Sequence, residues 1–204
     1  MKNKTNIIAA KNIMGENFLG PEELKSFSLK IFELSGMVDT IPYSIEEIQN
    51  KKDDYLLVYA ASKFVDGTFV TIRNLKKIIS ENGDIPQFYN QDWYDKEDFI
   101  DEVIPEGWFF IRRFVYEDSR SVSPNDLLQK YLFPSAIKCT YTFFVAWHCL
   151  DIKLWYEDFV WCSNVDHNGD RIYVGKYHDI DGINNDGFSI HRHLALRPCY
   201  TCID

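Results

Sequence analysis

The stretch PSAIKCTYTFFVAWHCL, starting at Pro134, constrains the fold more than any other part of the chain. Sixteen residues without a breaker after Pro134 predict a helix. It is apolar nearly all the way round, with Lys138, Thr142 and His148 as its polar stripe. A helix of that kind cannot sit on a surface with one face in water, so it is expected to run through the middle of the domain. The rest of the chain must then supply sheets and helices to cover it.

The flanking segments offer them. Pro21 suits a first helical position, Glu22 and Glu23 face the positive end of the dipole, and Leu24, Phe27, Ile31 and Leu34 recur on one face. This predicts a helix from Pro21 to Gly36. Ser44 and Glu47 have capping-box spacing and predict a second, short helix. DYLLVYAA reads as a strand buried on both faces, followed by a turn at Asp66-Gly67 and a second short strand, TFVTI. Thr71 is expected to cap the next helix, with Ile72, Leu75, Ile78 and Ile79 inward and Asn82-Gly83 as its stop. Trp108 to Val115 forms another strand, and Ser123-Pro124 opens another short helix.

After residue 158 the pattern is β: FVWCS, RIYVGKY and FSIHRHLAL, joined by loops rich in Asp, Asn and Gly. The expected fold class is α+β. An N-terminal helix, hairpin and helix lobe occupies residues 1–85, and a second domain, 86–204, packs a twisted antiparallel sheet on the central helix.

Composition excludes several functions. With 46% hydrophobic and 16% aromatic residues, the 204-residue chain is that of an ordered protein with a real core. Its 22 basic and 31 acidic residues give a net charge of -9, which repels a phosphate backbone, so no nucleic-acid partner is expected. No run is apolar for the ~18 residues of a membrane span, and the N-terminal apolar run is too short for a signal peptide. The expectation is an unanchored, cytoplasmic protein. Five cysteines, Cys139, Cys149, Cys162, Cys199 and Cys202, read as free thiols rather than a disulfide framework.

Two clusters carry possible chemistry. Asp166-His167-Asn168-Gly169-Asp170 sets oxygen ligands at alternating positions, as calcium requires, and Asp181 of the loop 179–187 can add another. The twelfth position, however, is Tyr177 rather than a bidentate Glu. Asn168-Gly169 is also a strong hairpin-turn signal, and the plain turn is the stronger reading. Strand alternation places His191, His193 and Arg197 on one face, beside Arg171 and Tyr173 of the neighbouring strand, as a surface for an anion or a sugar. The two imidazoles with Cys199 and Cys202 make zinc conceivable, although no second CxxC-like pair completes a zinc finger. No cofactor is required by the sequence; calcium is the first candidate and zinc the second. The five tryptophans could stack on a sugar ring. Nucleophile elbows and phosphate-cradling glycine loops are absent from the sequence.

The order WCSN at 161–164, a turn, RIYVGKY, an Asn/Asp/Gly loop and GFSIHRHLALRPCY resembles the closing segment of Lcl-type carboxy-terminal domains. Trp161, Ser163, Tyr173, Gly187, Phe188, Arg197 and Pro198 occupy the places of that pattern over residues 158–200. The resemblance implies a C-type-lectin-like module. Cys162 stands where the pattern prefers Ser, and the Glu-Pro-Asn and Trp-Asn-Asp calcium signatures of sugar-binding members are missing. The whole chain is also similar to uncharacterised bacterial proteins with FYNQDWY-like and DHNGDR-like stretches. Two functional expectations follow. The first is a non-enzymatic module binding a small-molecule, carbohydrate or protein ligand. The second is a metal-dependent hydrolase using His191 and His193 with Asp166, Asp170 or Asp181.

Overall fold

The computed structural model describes residues 4–27, 31–34, 39–83, 86–175, 187–192 and 200–201. In chain order, the first half holds β1 (Thr5–Asn6), α1 (Ile7–Met14), β2 (Phe18–Leu19), α2 (Pro21–Leu24), β3 (Thr40–Ile41), α3 (Ile45–Lys51), β4 (Tyr55–Ala60) and α4 (Ile72–Asn82). The second half holds β5 (Gly107–Arg112), α5 (Pro124–Leu127), α6 (Ala136–Leu150), β6 (Phe159–Val165), β7 (Arg171–Gly175), β8 (Ser189–Arg192) and β9 (Tyr200–Thr201). The class is α+β.

The central helix is where its composition requires it. Ser135 caps α6 by accepting the Lys138 N–H, and every residue from Cys139 to Ala146 is buried. Thr142, expected on a polar stripe, is itself fully buried. Its neighbours come from both larger sheets: α6 packs on β6 and β7 and touches β2. The Tyr141 hydroxyl donates to the Tyr59 carbonyl at 3.2 Å and accepts the Ala61 N–H at 3.3 Å, tying the helix to the end of β4. Phe143 and Phe144 meet Phe188, which leads into β8.

The caps read from the sequence are present. Ser44 and Glu47 form the capping box of α3, and Thr71 accepts the Asn74 N–H at the start of α4. Gly83 ends α4 at φ 70°, in the left-handed region where a residue without Cβ carries no strain. β4 is buried at every position.

Three expectations are corrected. The helix from Pro21 stops at Leu24; beyond the undescribed residues 28–30, Phe32 forms an antiparallel bridge with Phe64. Phe32 stacks on Phe64 with ring centroids 5.7 Å apart and meets the edge of Tyr141 at 5.3 Å. Burial of these rings in a strand-like pairing outweighs the local helical pattern.

Second, TFVTI does not form the strand that partners β4. Residues 62–70 close a tight hairpin of isolated bridges, with Phe64 N–H to Thr68 O at 2.8 Å and Val70 N–H to Ser62 O at 2.9 Å. The antiparallel partner of β4 is β5, from Tyr55↔Arg112 to Ala60↔Gly107, with β2 parallel on the other edge. Residues on both sides of position 85 therefore share one sheet and one core.

Third, the C-terminal sheet is mixed rather than antiparallel. Its order is β8-β7-β6-β9, and β9 runs parallel to β6. Side-chain alternation is the same in parallel and antiparallel strands, so residue pattern does not reveal this direction.

Candidate functional site

The expected ligand face on β7 and β8 is assembled in part. His191 lies opposite Tyr173 in the ladder, and the rings stack with centroids 5.3 Å apart. Phe159 meets His191 edge-on at 5.2 Å. Arg171, two residues before Tyr173, is occupied by the fold: its guanidinium donates to the carbonyls of Ser163 at 2.8 Å and Cys162 at 3.3 Å. Burial lowers its pKa, partly opposed by Cys162. His193, Arg197 and Asp181 lie outside the described residues, as do Cys199 and Cys202. Cys139, Cys149 and Cys162 are free thiols.

The acidic loop closes on one of its own carboxylates. Asp166 Oδ1 accepts the N–H groups of Asn168 and Asp170, each at 2.8 Å, and the Gly169 N–H donates to the Asp166 carbonyl at 2.9 Å. Asn168 and Asp170 thus present donors to the centre of the loop, where a calcium loop would gather oxygens. The arrangement is a hairpin turn, with Gly169 at φ 85°.

Asp166 Oδ2 accepts from Arg192 at 3.4 Å. Arg192 alternates with His191, so the carboxylate lies on the other side of β8 from the histidine rather than opposing it. Burial works to raise the Asp166 pKa, but the Asp170 and Asn168 N–H groups, Arg192 and His167 outweigh it and hold the carboxyl below its ordinary range.

Glu97, Asp166 and His167 each offer a ligand atom within 4.8 Å of the others. Their acceptors are already engaged. Buried Glu97 takes the His167 N–H at 2.9 Å and lies 2.6 Å from His167 Nδ1. Trp93 extends the clamp, donating its indole N–H to the Ile190 carbonyl at 3.1 Å, with the Arg192 guanidinium 5.3 Å from its ring. This set pins the 91–97 segment to β8 and the turn, and structural work accounts for its charges.

A second feature has no such account. A cleft of about 260 Å³ opens between residues 113–117 and 152–158. The second wall leaves α6 at Asp151 and is held by a turn in which the Asp158 N–H donates to the Trp155 carbonyl at 3.2 Å. Trp155 adopts φ 47°, a conformation rarely used by bulky residues and costing roughly 1–3 kcal/mol. It is 5% exposed, and its buried indole N–H has no acceptor among the described residues. A buried donor left unsatisfied costs about 1–3 kcal/mol more. Gly175 lies under the turn: a Cβ there would fall 2.6 Å from the Asp158 carbonyl oxygen.

Charges around the cleft are unevenly spent. Arg120 bolts the walls together, pairing with Glu117 at 2.7 Å and Asp158 at 2.6 Å. The bond from Arg120 holds the Glu117 pKa below its ordinary value. Arg113 pairs with Glu16 at 3.2 Å and bonds to Asn17. Lys153 has no carboxylate within ion-pair distance among the described residues; its ammonium lies 5.1 Å from the Trp147 ring and 5.6 Å from that of Tyr156.

Sequence reasoning missed Trp155, Lys153 and the Arg120 bolt, and it missed Glu97, Trp93 and Arg192 as the partners of the acidic turn. KLWYEDF at 153–159 carries no spacing signal, because a left-handed tryptophan is indistinguishable from a core tryptophan until its backbone is seen. Comparison with protein-family models, curated proteins and solved structures finds no match.

Proposed function

We propose that the protein is a non-enzymatic binding module whose small-molecule ligand occupies the cleft between residues 113–117 and 152–158. The observation that carries this reading is Trp155, a residue with a left-handed backbone and a buried indole N–H without a partner among the described residues, in the wall of one cleft. Unrelieved costs of this kind concentrate at sites where a ligand or a reaction makes use of them. At about 260 Å³ the cleft lies just below the usual ligand-pocket range of about 300–1,000 Å³ and suits a small ligand.

The C-type-lectin-like reading of residues 158–200 belongs to the same proposal. What supports it is the succession of β6, turn, β7 and β8, with Trp161 and Phe188 fully buried. The missing sugar-binding calcium signatures favour a ligand other than a calcium-held sugar. The net charge of -9 and the absence, among the described residues, of a helix long and apolar enough to cross a membrane support a cytoplasmic module without nucleic-acid or membrane partners. The hydrolase reading would draw on Glu97, Asp166 and His167, but their polar atoms already hold the turn together.

A thermal-shift screen of small carboxylates, amides and monosaccharides tests the proposal. A ligand at 100 times its Kd stabilises by about 2.7 kcal/mol, which is roughly 5–10 °C for a chain of this size. Shifts of that order are expected in the native protein and largely lost in Trp155→Phe, which removes the indole N–H. Hits that stabilise both proteins equally would place binding elsewhere.

A further inference from the structure

We infer that two copies of the chain associate through the outer edge of β5, antiparallel about a two-fold axis at Phe110. The inference is independent of the cleft. β5 is an edge strand of the sheet β2-β4-β5, and the direction of its backbone groups follows from the ladder. The Arg113 N–H donates to the Asp54 carbonyl at 2.8 Å, which continues the pairing of Tyr55 with Arg112 by one residue. Bonded and non-bonded pairs alternate along an antiparallel ladder. Gly107, Phe109 and Ile111 therefore bond to β4, while Trp108, Phe110 and Arg112 turn their N–H and C=O groups outward. The Tyr43 hydroxyl, which donates to the Trp108 carbonyl at 3.2 Å, confirms that direction. Among the described residues no second backbone segment bonds to this edge. The edge of β8 is different: Gln87 and Tyr89 bond to the backbone of Phe188, and the Gln91 side chain accepts the Ile190 N–H at 3.3 Å.

The order of residues along the edge selects a second copy as its occupant. Glu106 stands just before the strand and Arg112 at its end. Glu106 accepts from the hydroxyls of Tyr59 at 2.9 Å and Ser62 at 3.0 Å, and the Tyr59 ring meets Trp108, so Glu106 shares the face of Trp108 and Arg112. Arg112 also has Asp54 at 3.4 Å. A parallel copy would set like charges side by side, whereas an antiparallel one sets the acidic end of each strand against the basic end of the other. With Phe110 on the axis, Arg112 of the second copy lies opposite Trp108, where guanidinium and indole attract, and diagonal to Glu106. Outward backbone groups then meet outward backbone groups, and a slip of one residue would lose that match. The Trp108 carbonyl keeps a second lone pair beside the one used by Tyr43. An aromatic edge strand of this length, with no backbone cover, is the kind that pairs with another chain.

The test is sedimentation velocity of the full chain over about 1–100 µM, with far-UV circular dichroism of every variant as the folding control. Phe110→Pro removes an outward N–H and no bond to β4, and proline is tolerated on edge strands. Glu106→Arg and Arg112→Glu are measured singly and together, so the charge argument is tested even if the proline variant does not fold. The native chain is expected to dimerise within this range. Phe110→Pro and each single charge reversal should weaken the dimer at least about tenfold, and the double reversal should return it to within about threefold of native. A chain that is monomeric at every concentration would overturn the inference. So would a dimer that none of these variants weakens, because it would use another face. A chain that stays monomeric yet takes up an extended synthetic peptide of alternating Thr and Val would give the edge to other proteins and overturn the second copy as its occupant.

Discussion

Gly187→Ala is expected to destabilise the protein by roughly 3–5 kcal/mol and to lower its Tm by about 10 °C or more. A Cβ at this position would fall 1.4 Å from the Gln87 carbonyl oxygen and 2.8 Å from the Gln87 nitrogen. Those are backbone atoms, so no side-chain rotation relieves the overlap. The close approach is fixed from both sides: the Phe188 N–H donates to Gln87 O at 2.8 Å, and the Tyr89 N–H donates to Phe188 O at 3.0 Å. Separating the two segments would break both bonds and draw fully buried Phe188 away from Phe88, Phe143 and Phe144. Gly169→Ala is the contrasting control. Its Cβ would meet nothing within 4 Å, leaving only the strain of φ 85°, about 1–2 kcal/mol. Urea denaturation of the two variants measures the difference. Equal, mild losses would mean that the 87–89 and 187–188 segments are not paired as described.

Asp166→Ala is expected to cost about 2–4 kcal/mol, because two N–H groups and the Arg192 guanidinium lose their acceptor. Asp166→Asn keeps an oxygen for the turn N–H groups and should cost less at neutral pH. The two forms also separate in acid. The folded pKa of Asp166 lies below the unfolded one, so its contribution is complete above the ordinary aspartate value of about 4 and disappears as pH falls through the lower folded value. Native protein and Asp166→Asn should therefore differ in urea midpoint at about pH 7 and converge as the pH falls below the folded value. A difference that persists unchanged in acid would deny the carboxylate its role as the acceptor that holds the turn.

These two positions show what the sequence can and cannot reveal. Local chemistry was legible. Ser44 and Thr71 cap the helices they were expected to cap, and Asn168-Gly169 makes a turn. The all-round apolar character of α6 also predicted its central position. Misjudged elements were those decided by distant partners. Phe32 leaves its helical pattern to meet Phe64, and β4 pairs with β5 rather than with the adjacent TFVTI. The acidic turn was found by composition, but its partners Glu97, Trp93 and Arg192 come from other parts of the chain. Arg171 and Tyr173 do lie beside His191 in the sheet, yet Arg171 is spent on backbone carbonyls. The cleft was invisible because its signal is a φ angle and a missing acceptor at Trp155, neither of which is a property of residue order.

The most direct measurement of the central claim is the indole N–H spectrum of 15N-labelled protein, with its five tryptophans. Trp155→Phe assigns the Trp155 signal by its disappearance. In the free protein that proton should resonate upfield, as a donor without an acceptor, and on addition of a small molecule that stabilises the native protein in the thermal-shift screen it should shift together with the binding isotherm while the buried Trp161 signal stays fixed. A Trp155 signal already at a hydrogen-bonded position, or one unmoved at a saturating concentration of that molecule while other indoles shift, would contradict the assignment of this cleft as the binding site.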